Sequence, residues 1–187
     1  MDKAHFPLKI ESARLQLRKN DLAMAQTIFA AVDRDRKRLG RFLPWVDDTR
    51  SVEEEISYIN STHEKWDRHE LYDYSIFLQD GTYIGNAGLH SLSWTADRCE
   101  IGYWILRQFE GQGYMSEACK VLIEAAFEVG FNRIEIRCDP ENERSASVPR
   151  RLGFRFEGRL EQDTKDSEGR YRDSLVFARL KSQGPIK

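Results

Sequence analysis

No stretch of this 187-residue sequence stays apolar for the roughly 20 residues that a bilayer-spanning helix requires, so no membrane span is expected. Its first residues, Met1 to Pro7, carry no apolar core of the kind a secretory leader has, which predicts a cytoplasmic chain. Cysteine is scarce. Cys99, Cys119 and Cys138 are odd in number and widely spaced, and they read as reduced thiols. No His or Asp lies at a spacing that suggests a nucleophilic triad, and Cys119 and Cys138 fall on apolar faces, so a covalent acyl-enzyme is set aside. The histidines, His5, His63, His69 and His90, lack metal-ligand spacing, so no metal is expected. An excess of one charge is also missing. Against 31 Asp plus Glu stand 29 Lys plus Arg, a balance that argues against broad binding to nucleic acid. Repeats, low-complexity tracts and Pro- or Gly-rich linkers are absent. One domain over 1–187 is expected, large enough to bury a core unaided, with a frayed tail at 182–187.

What is present is a succession of patterned segments. Residues 12–18 alternate as a strand does. Asn20 or Asp21 can cap a following helix whose stripe is Leu22, Ala25, Ile28, Phe29 and Val32, ending near Gly40. Ser51 and Glu54 make a capping box for a second helix, with Val52, Ile56, Ile59, His63 and Trp66 on one face. His63 reads there as a core-edge histidine. Strands over 72–79 and 82–93 flank the turn Asp80-Gly81, and another covers 97–106. A helix over 114–129 gathers Met115, Ala118, Cys119, Leu122, Ile123, Ala126 and Phe127 on one stripe, with Gly130 at its C-cap. A strand over 133–139, a short helix over 144–152 limited by Pro149, and strands over 154–160 and 171–181 complete the chain. The strand–helix–strand unit across 98–139 needs a crossover, which makes its two strands parallel neighbours. The predicted class is α+β: a mixed, mostly antiparallel sheet of about seven strands with about four helices.

Between the strand at 97–106 and the helix at 114 lies Gln108-x-x-Gly111-x-Gly113. Glycines there let the backbone take positive φ and approach a ligand closely, and the helix start offers unpaired N–H groups with partial positive charge. Together they suit a phosphate or pyrophosphate. A tight turn would use the same residues. The Gly-Lys-Ser/Thr of a P-loop is missing, and the segment is too late and too short for a dinucleotide fingerprint.

This motif, followed by Asn142-x-x-Ser145 and Leu152-Gly153-Phe154, resembles the GNAT acetyltransferase superfamily. Leu39-Gly-Arg-Phe-Leu-Pro-Trp45, Glu100-Ile-Gly-Tyr-Trp104 and Gly169-Arg-Tyr-Arg-Asp173 resemble its RimJ/RimL-type branch, which acetylates N-terminal α-amines of ribosomal proteins. The resemblance implies a GNAT-like twisted sheet with a splayed parallel pair and acetyl-CoA as cosubstrate. Backbone groups of Tyr103, Trp104 and Ile105 would hold the pantetheine arm, and N–H groups from Phe109 through Glu110, Gly111, Gln112 and Gly113 to Tyr114 the pyrophosphate. Gln108 belongs to the same loop, and Asn142 would anchor a pantetheine amide. The resemblance leaves room for a homodimer.

Attack of a neutral amine on a thioester needs a base, donors for the oxyanion and an acid for the leaving thiolate. Glu100 is the first candidate base, with Glu161 and Asp163 as alternatives, and a salt-bridged surface role fits Glu100 as well. Ser145 is the candidate acid, although a helix N-cap would use the same serine. The acceptor is expected to be a protein or peptide N-terminal α-amine. A small amine (antibiotic, polyamine or amino acid) stays open, as does an acyl-CoA sensor without turnover. Trp45, Trp66, Trp94 and Trp104 are possible linings of an acceptor groove.

Overall fold

The structure, a computed structural model, describes residues 5–186. Met1 to Ala4 of the expected leaderless start and Lys187 of the expected tail lie outside the described residues. The strands are β1 (Lys9–Glu11), β2 (Leu15–Lys19), β3 (Tyr72–Leu78), β4 (Tyr83–Ser93), β5 (Arg98–Ile105), β6 (Arg133–Cys138), β7 (Arg155–Lys165) and β8 (Tyr171–Leu180). The α-helices are α1 (Ala25–Leu39), α2 (Val52–Asp67), α3 (Tyr114–Val129) and α4 (Glu143–Arg151). All eight strands form one sheet in the order β1-β2-β3-β4-β5-β6-β8-β7. One strand more than expected appears because β1 is three residues long, too short for its alternation to register.

Every neighbouring pair is antiparallel except β5 and β6. That parallel pairing holds for Arg98 with Arg133, Cys99 with Ile134 and Glu100 with Glu135, and stops there. Beyond Glu100 the strands diverge, which leaves one backbone edge of each without a ladder partner. The crossover α3 buries Met115, Ala118, Cys119, Leu122, Ile123 and Ala126 against one sheet face, so its helical period is spent on the core. Gly130 ends it with φ 119°. On the other face, Ala25, Ile28 and Val32 of α1 and Ile59 of α2 pack with Phe77 and Tyr83.

Several local expectations change. Leu22 lies in a short 3-10 turn (Leu22–Met24) that precedes α1 and is exposed, with Asp21 capping that turn through its side chain. The Ser51–Glu54 capping box forms, yet the buried face of α2 is Glu55, Ile59, Thr62 and Trp66, and Ile56 is exposed. The face turns because Glu55 enters a polar cluster under the helix. His63 is half-buried at the core edge, its Nε2 2.6 Å from the Asn20 carbonyl. Strand β7 continues past Leu160 to Lys165 by pairing with β8 through two irregularities. The tail expected to fray from residue 182 is tied down: Arg179 Nη2 donates to the Gly184 carbonyl at 2.8 Å, and Ile186 is buried in the core.

Candidate active site

The divergence of β5 and β6 opens a cleft of about 490 Å³, walled by β5, the loop before α3, the start of α3, α4 and the C-terminal end of α1. In the antiparallel ladder with β4, the Leu106 N–H donates to Ile84, and backbone groups alternate in direction along a strand. Trp104 therefore bonds toward β4, where its carbonyl would lie 2.2 Å from a Cβ added at Gly85. Tyr103 and Ile105 turn their backbone groups toward the cleft. Of these, the Ile105 carbonyl already accepts from Arg38 Nη2 at 2.7 Å. The Tyr103 N–H and carbonyl and the Ile105 N–H remain for an extended ligand, whereas Trp104 offers its side chain.

The loop divides similarly. The N–H groups of Phe109 and Glu110 are used within a 3-10 turn, donating to the Leu106 and Arg107 carbonyls at 2.9 and 3.2 Å. Those from Gly111 to Ser116 have no such partners among the described residues. Gly111 and Gly113 sit at φ 74° and 81°, and Gly113 is the N-cap of α3. Both line the cleft, as does Ser116, whose buried hydroxyl has no hydrogen-bond partner among the described residues. Gln108 and Gln112 do not line it. Gln112 Nε2 donates to the Gln108 carbonyl at 2.9 Å, which braces the loop from outside. Arg38, Arg107, Arg144 and Arg151 face the cleft, with Glu110 as their acidic counterpart. Glu110 is ion-paired with Arg38 at 2.7 Å and with Arg144. Free N–H groups at a helix start, an orphaned hydroxyl and surplus guanidinium charge fit a pyrophosphate.

The alternative role of Ser145, as the N-cap of α4, falls to another residue. Asn142 takes that role: its Oδ1 accepts from the Ser145 N–H at 3.1 Å. The Ser145 hydroxyl is thereby free, and it donates to the Tyr103 hydroxyl at 3.2 Å. Tyr103 in turn donates to the Ser145 carbonyl at 2.9 Å. That carbonyl is available because of Pro149, the residue four positions on, which has no N–H to give it. The sequence points to the backbone of Tyr103 and not to its hydroxyl. Burial pushes its pKa far up, so it is a protonated donor. Restoring the helical bond with Pro149→Ala should release Tyr103 and lower kcat about fivefold, the worth of one hydrogen bond of about 1 kcal/mol, with acetyl-CoA affinity unchanged. Steady-state kinetics beside calorimetry would check this, and an unaltered kcat would exclude the link.

Glu100 points to the opposite sheet face, away from Tyr103 and Ser145. It is the last paired residue before the strands part, opposite His90 on β4 and Glu135 on β6. Arg137 Nη or Nε groups approach both carboxylates, at 3.5 Å for Glu100 and 3.0 Å for Glu135. Burial pushes the Glu100 pKa above its ordinary value, more than Arg137 holds it down, and Glu135 and Asp163 add to the rise. Glu161 and Asp163 lie on an exposed stretch of β7. Of the four tryptophans, Trp104 lines the cleft and Trp45 packs beside it, with ring centroids 6.1 Å apart. Trp66 is buried against Tyr72 and Tyr74, and Trp94 packs on Phe131, so neither reaches the site. Cys99 and Cys119 are fully buried, and burial pushes the Cys138 thiol up to about 11, which suits core residues better than nucleophiles.

Comparison with known proteins meets this geometry. Residues 14–155 match the family model described as an acetyltransferase (GNAT) domain. YdaF of Bacillus subtilis, provisionally named a ribosomal N-acetyltransferase, is 32% identical over 163 residues, 85% of this chain and 87% of its own. The ribosomal-protein-serine acetyltransferase of Escherichia coli is 27% identical over 154 residues, 82% of this chain and 85% of its own. The solved structure of RimL, the ribosomal L7/L12 alpha-N-protein acetyltransferase, in complex with coenzyme A has a TM-score of 0.86 at 27% identity and covers 94% of this chain and 97% of its own. With its splayed strand pair, its glycine loop at the start of α3 and these relatives, the chain belongs to the GNAT family of acetyl-CoA-dependent N-acetyltransferases.

Proposed function

We propose that this enzyme acetylates the N-terminal α-amine of a protein, of the ribosomal-protein type, in the cytoplasm. Acetyl-CoA would supply the acyl group, with its pantetheine arm along Tyr103 and Ile105 and its pyrophosphate on the N–H groups from Gly111 to Ser116. Asn142, occupied as a helix cap, still lines the cleft and can offer its amide N–H groups to the arm. The Ser145 hydroxyl, hydrogen-bonded to Tyr103, would protonate the leaving thiolate on the α3–α4 side of the cleft. The acceptor would enter on the other side, past Trp45 and Trp104, and leave its proton near Glu100.

The observation that carries the choice of acceptor is the setting of Glu100. No strong base stands there: the carboxylate lies 3.5 Å from a guanidinium, and burial with Arg137 lowers the pKa of His90 across the ladder. This setting suits an amine that gives up its proton near neutrality. An α-amine has a pKa of roughly 7.7–8.0 and a lysine ε-amine about 10.4, a difference of about 3 kcal/mol in deprotonation. The names of the relatives point the same way.

A peptide with a free N-terminus should therefore be acetylated, and the same peptide, N-terminally blocked but carrying internal lysines, should not. Mass spectrometry locates the acetyl group. Efficient modification of the blocked peptide would overturn the α-amine reading, and turnover of small amines alone would replace it with a small-molecule acceptor.

A further inference from the structure

Directly across the β4–β5 ladder from Glu100 stands His90, a residue with no metal-ligand spacing and no role so far. Its Nε2 lies 3.9 Å from Glu100 Oε1. It leans over Gly102, where an added Cβ would come within 2.9 Å of that nitrogen, so the absence of a side chain at 102 makes room for the ring. The other ring nitrogen, Nδ1, is 3.1 Å from Ser91 Oγ. The imidazole is half-exposed on the α1–α2 face, next to the point where β5 and β6 separate.

We propose that His90 is the group that takes the proton from the acceptor amine, and that Glu100 is a positioning residue that stabilises the resulting imidazolium. This rests on the N-acetyltransferase reading of the cleft but not on the identity of the amine. The amine nitrogen bonds to the thioester carbonyl carbon and the carbon–sulfur bond breaks. The nitrogen's proton passes to His90 Nε2, the thiolate takes a proton from the Ser145 hydroxyl in the cleft, and the imidazolium releases its proton to solvent, from which Ser145 regains one. The step uses the tautomer in which Nδ1–H donates to Ser91 Oγ, which leaves the lone pair on Nε2. The charged groups facing the ring are Glu100 on β5 and Arg137 on β6, with Glu135 beside Arg137 and Asp163 of β7 acting on Glu100. Burial, aided by Arg137, holds His90 below the ordinary histidine value, so the ring is neutral near pH 7 and ready to accept. Glu100 Oε2 is held by Arg137 at 3.5 Å while its Oε1 faces the ring at 3.9 Å, which places the carboxylate to orient the imidazole.

The test uses the full chain with acetyl-CoA and whichever acceptor, peptide or small amine, the native enzyme turns over fastest. That choice decides the acceptor question separately. His90→Gln should lower kcat/KM at least about a hundredfold, as loss of a general base does, with melting temperature and acetyl-CoA affinity retained. In His90→Ala, added imidazole should restore part of the rate. In Glu100→Gln the His90-dependent limb of the rate, read as a ratio to the native enzyme so that the amine's own titration cancels, should move to lower pH. A His90→Gln enzyme within twofold of native would overturn the proposal. So would a His90→Ala enzyme that stays folded, loses its rate and is indifferent to imidazole, because the histidine would then be structural. If His90→Gln fails to fold, the imidazole response of His90→Ala decides.

Discussion

Gly113→Val should weaken acetyl-CoA binding at least tenfold, about 1.4 kcal/mol or more, measured by calorimetry on the folded variant. The reason is local. Gly113 holds φ 81° at the N-cap of α3, and an added Cβ would meet nothing closer than Arg14 Nη2 at 3.4 Å. Packing within the protein thus leaves space for a side chain. What excludes one is the backbone conformation, costing roughly 1–2 kcal/mol for a non-glycine residue, together with the close approach of a pyrophosphate to the N–H groups beside it. Gly130 separates these two effects. It also has positive φ, 119°, with open space around its Cβ position, but it closes the far end of α3. Gly130→Ala should therefore lower stability and leave the affinity alone, whereas Gly113→Val lowers both. Equal affinities in the two variants would remove the phosphate-binding role from the loop.

The contrast between these glycines also shows what the sequence discloses. Both were legible, Gly130 from the end of a helical stripe and Gly113 from its place between a strand and a helix. The element order was legible because α1, α3 and the strands β3, β4 and β8 bury apolar residues along much of their length, so their periods show in the apolar pattern. What stayed hidden depends on direction rather than period. Tyr103 and Trp104 are adjacent, yet one turns its hydroxyl to Ser145 and the other pairs its backbone with β4, which follows only from the register. Asn142 and Ser145 both suit a helix start, and which of them caps is decided by the turn before α4. His90 and Glu100 lie ten positions apart with a turn between them, and their pairing needs the irregularity between His90 and Ser93 to be known. Trp66 and Trp94, read as possible groove linings, are drawn into aromatic packing that composition cannot foresee.

Glu55 is the clearest case of a periodic face misread, and it leads to a prediction about stability and pH. It is 3% exposed on α2, where an apolar stripe would have put Ile56 inside. Beneath it Asp73 accepts from Asn20 Nδ2 at 2.8 Å, Tyr58 Oη at 3.2 Å and Asn86 Nδ2 at 3.3 Å. Glu55 has no hydrogen-bond donor of its own among the described residues to offset its burial. Burial, with Asp73 adding repulsion, raises the Glu55 pKa from 4.5 to about 7. A carboxyl whose folded value exceeds its unfolded one favours folding fully below the unfolded value, and that benefit is lost as pH rises through the folded value. Here the loss begins above pH 4.5 and is complete a little above pH 7, at about 3 kcal/mol for the shift of about 2.5 units. Glu55→Gln keeps the shape and cannot ionise. It should match the native chain near pH 4.5 and exceed it by about 3 kcal/mol at pH 8 to 9, on the order of 10 °C in Tm. Denaturant titrations of both proteins across this range read the difference directly, and subtracting one from the other cancels the carboxylates that titrate in both. A difference that does not grow with pH would mean that Glu55 is already ionised at pH 4.5, or that a donor reaches it in solution, and either result would remove the protonated carboxyl from beneath α2.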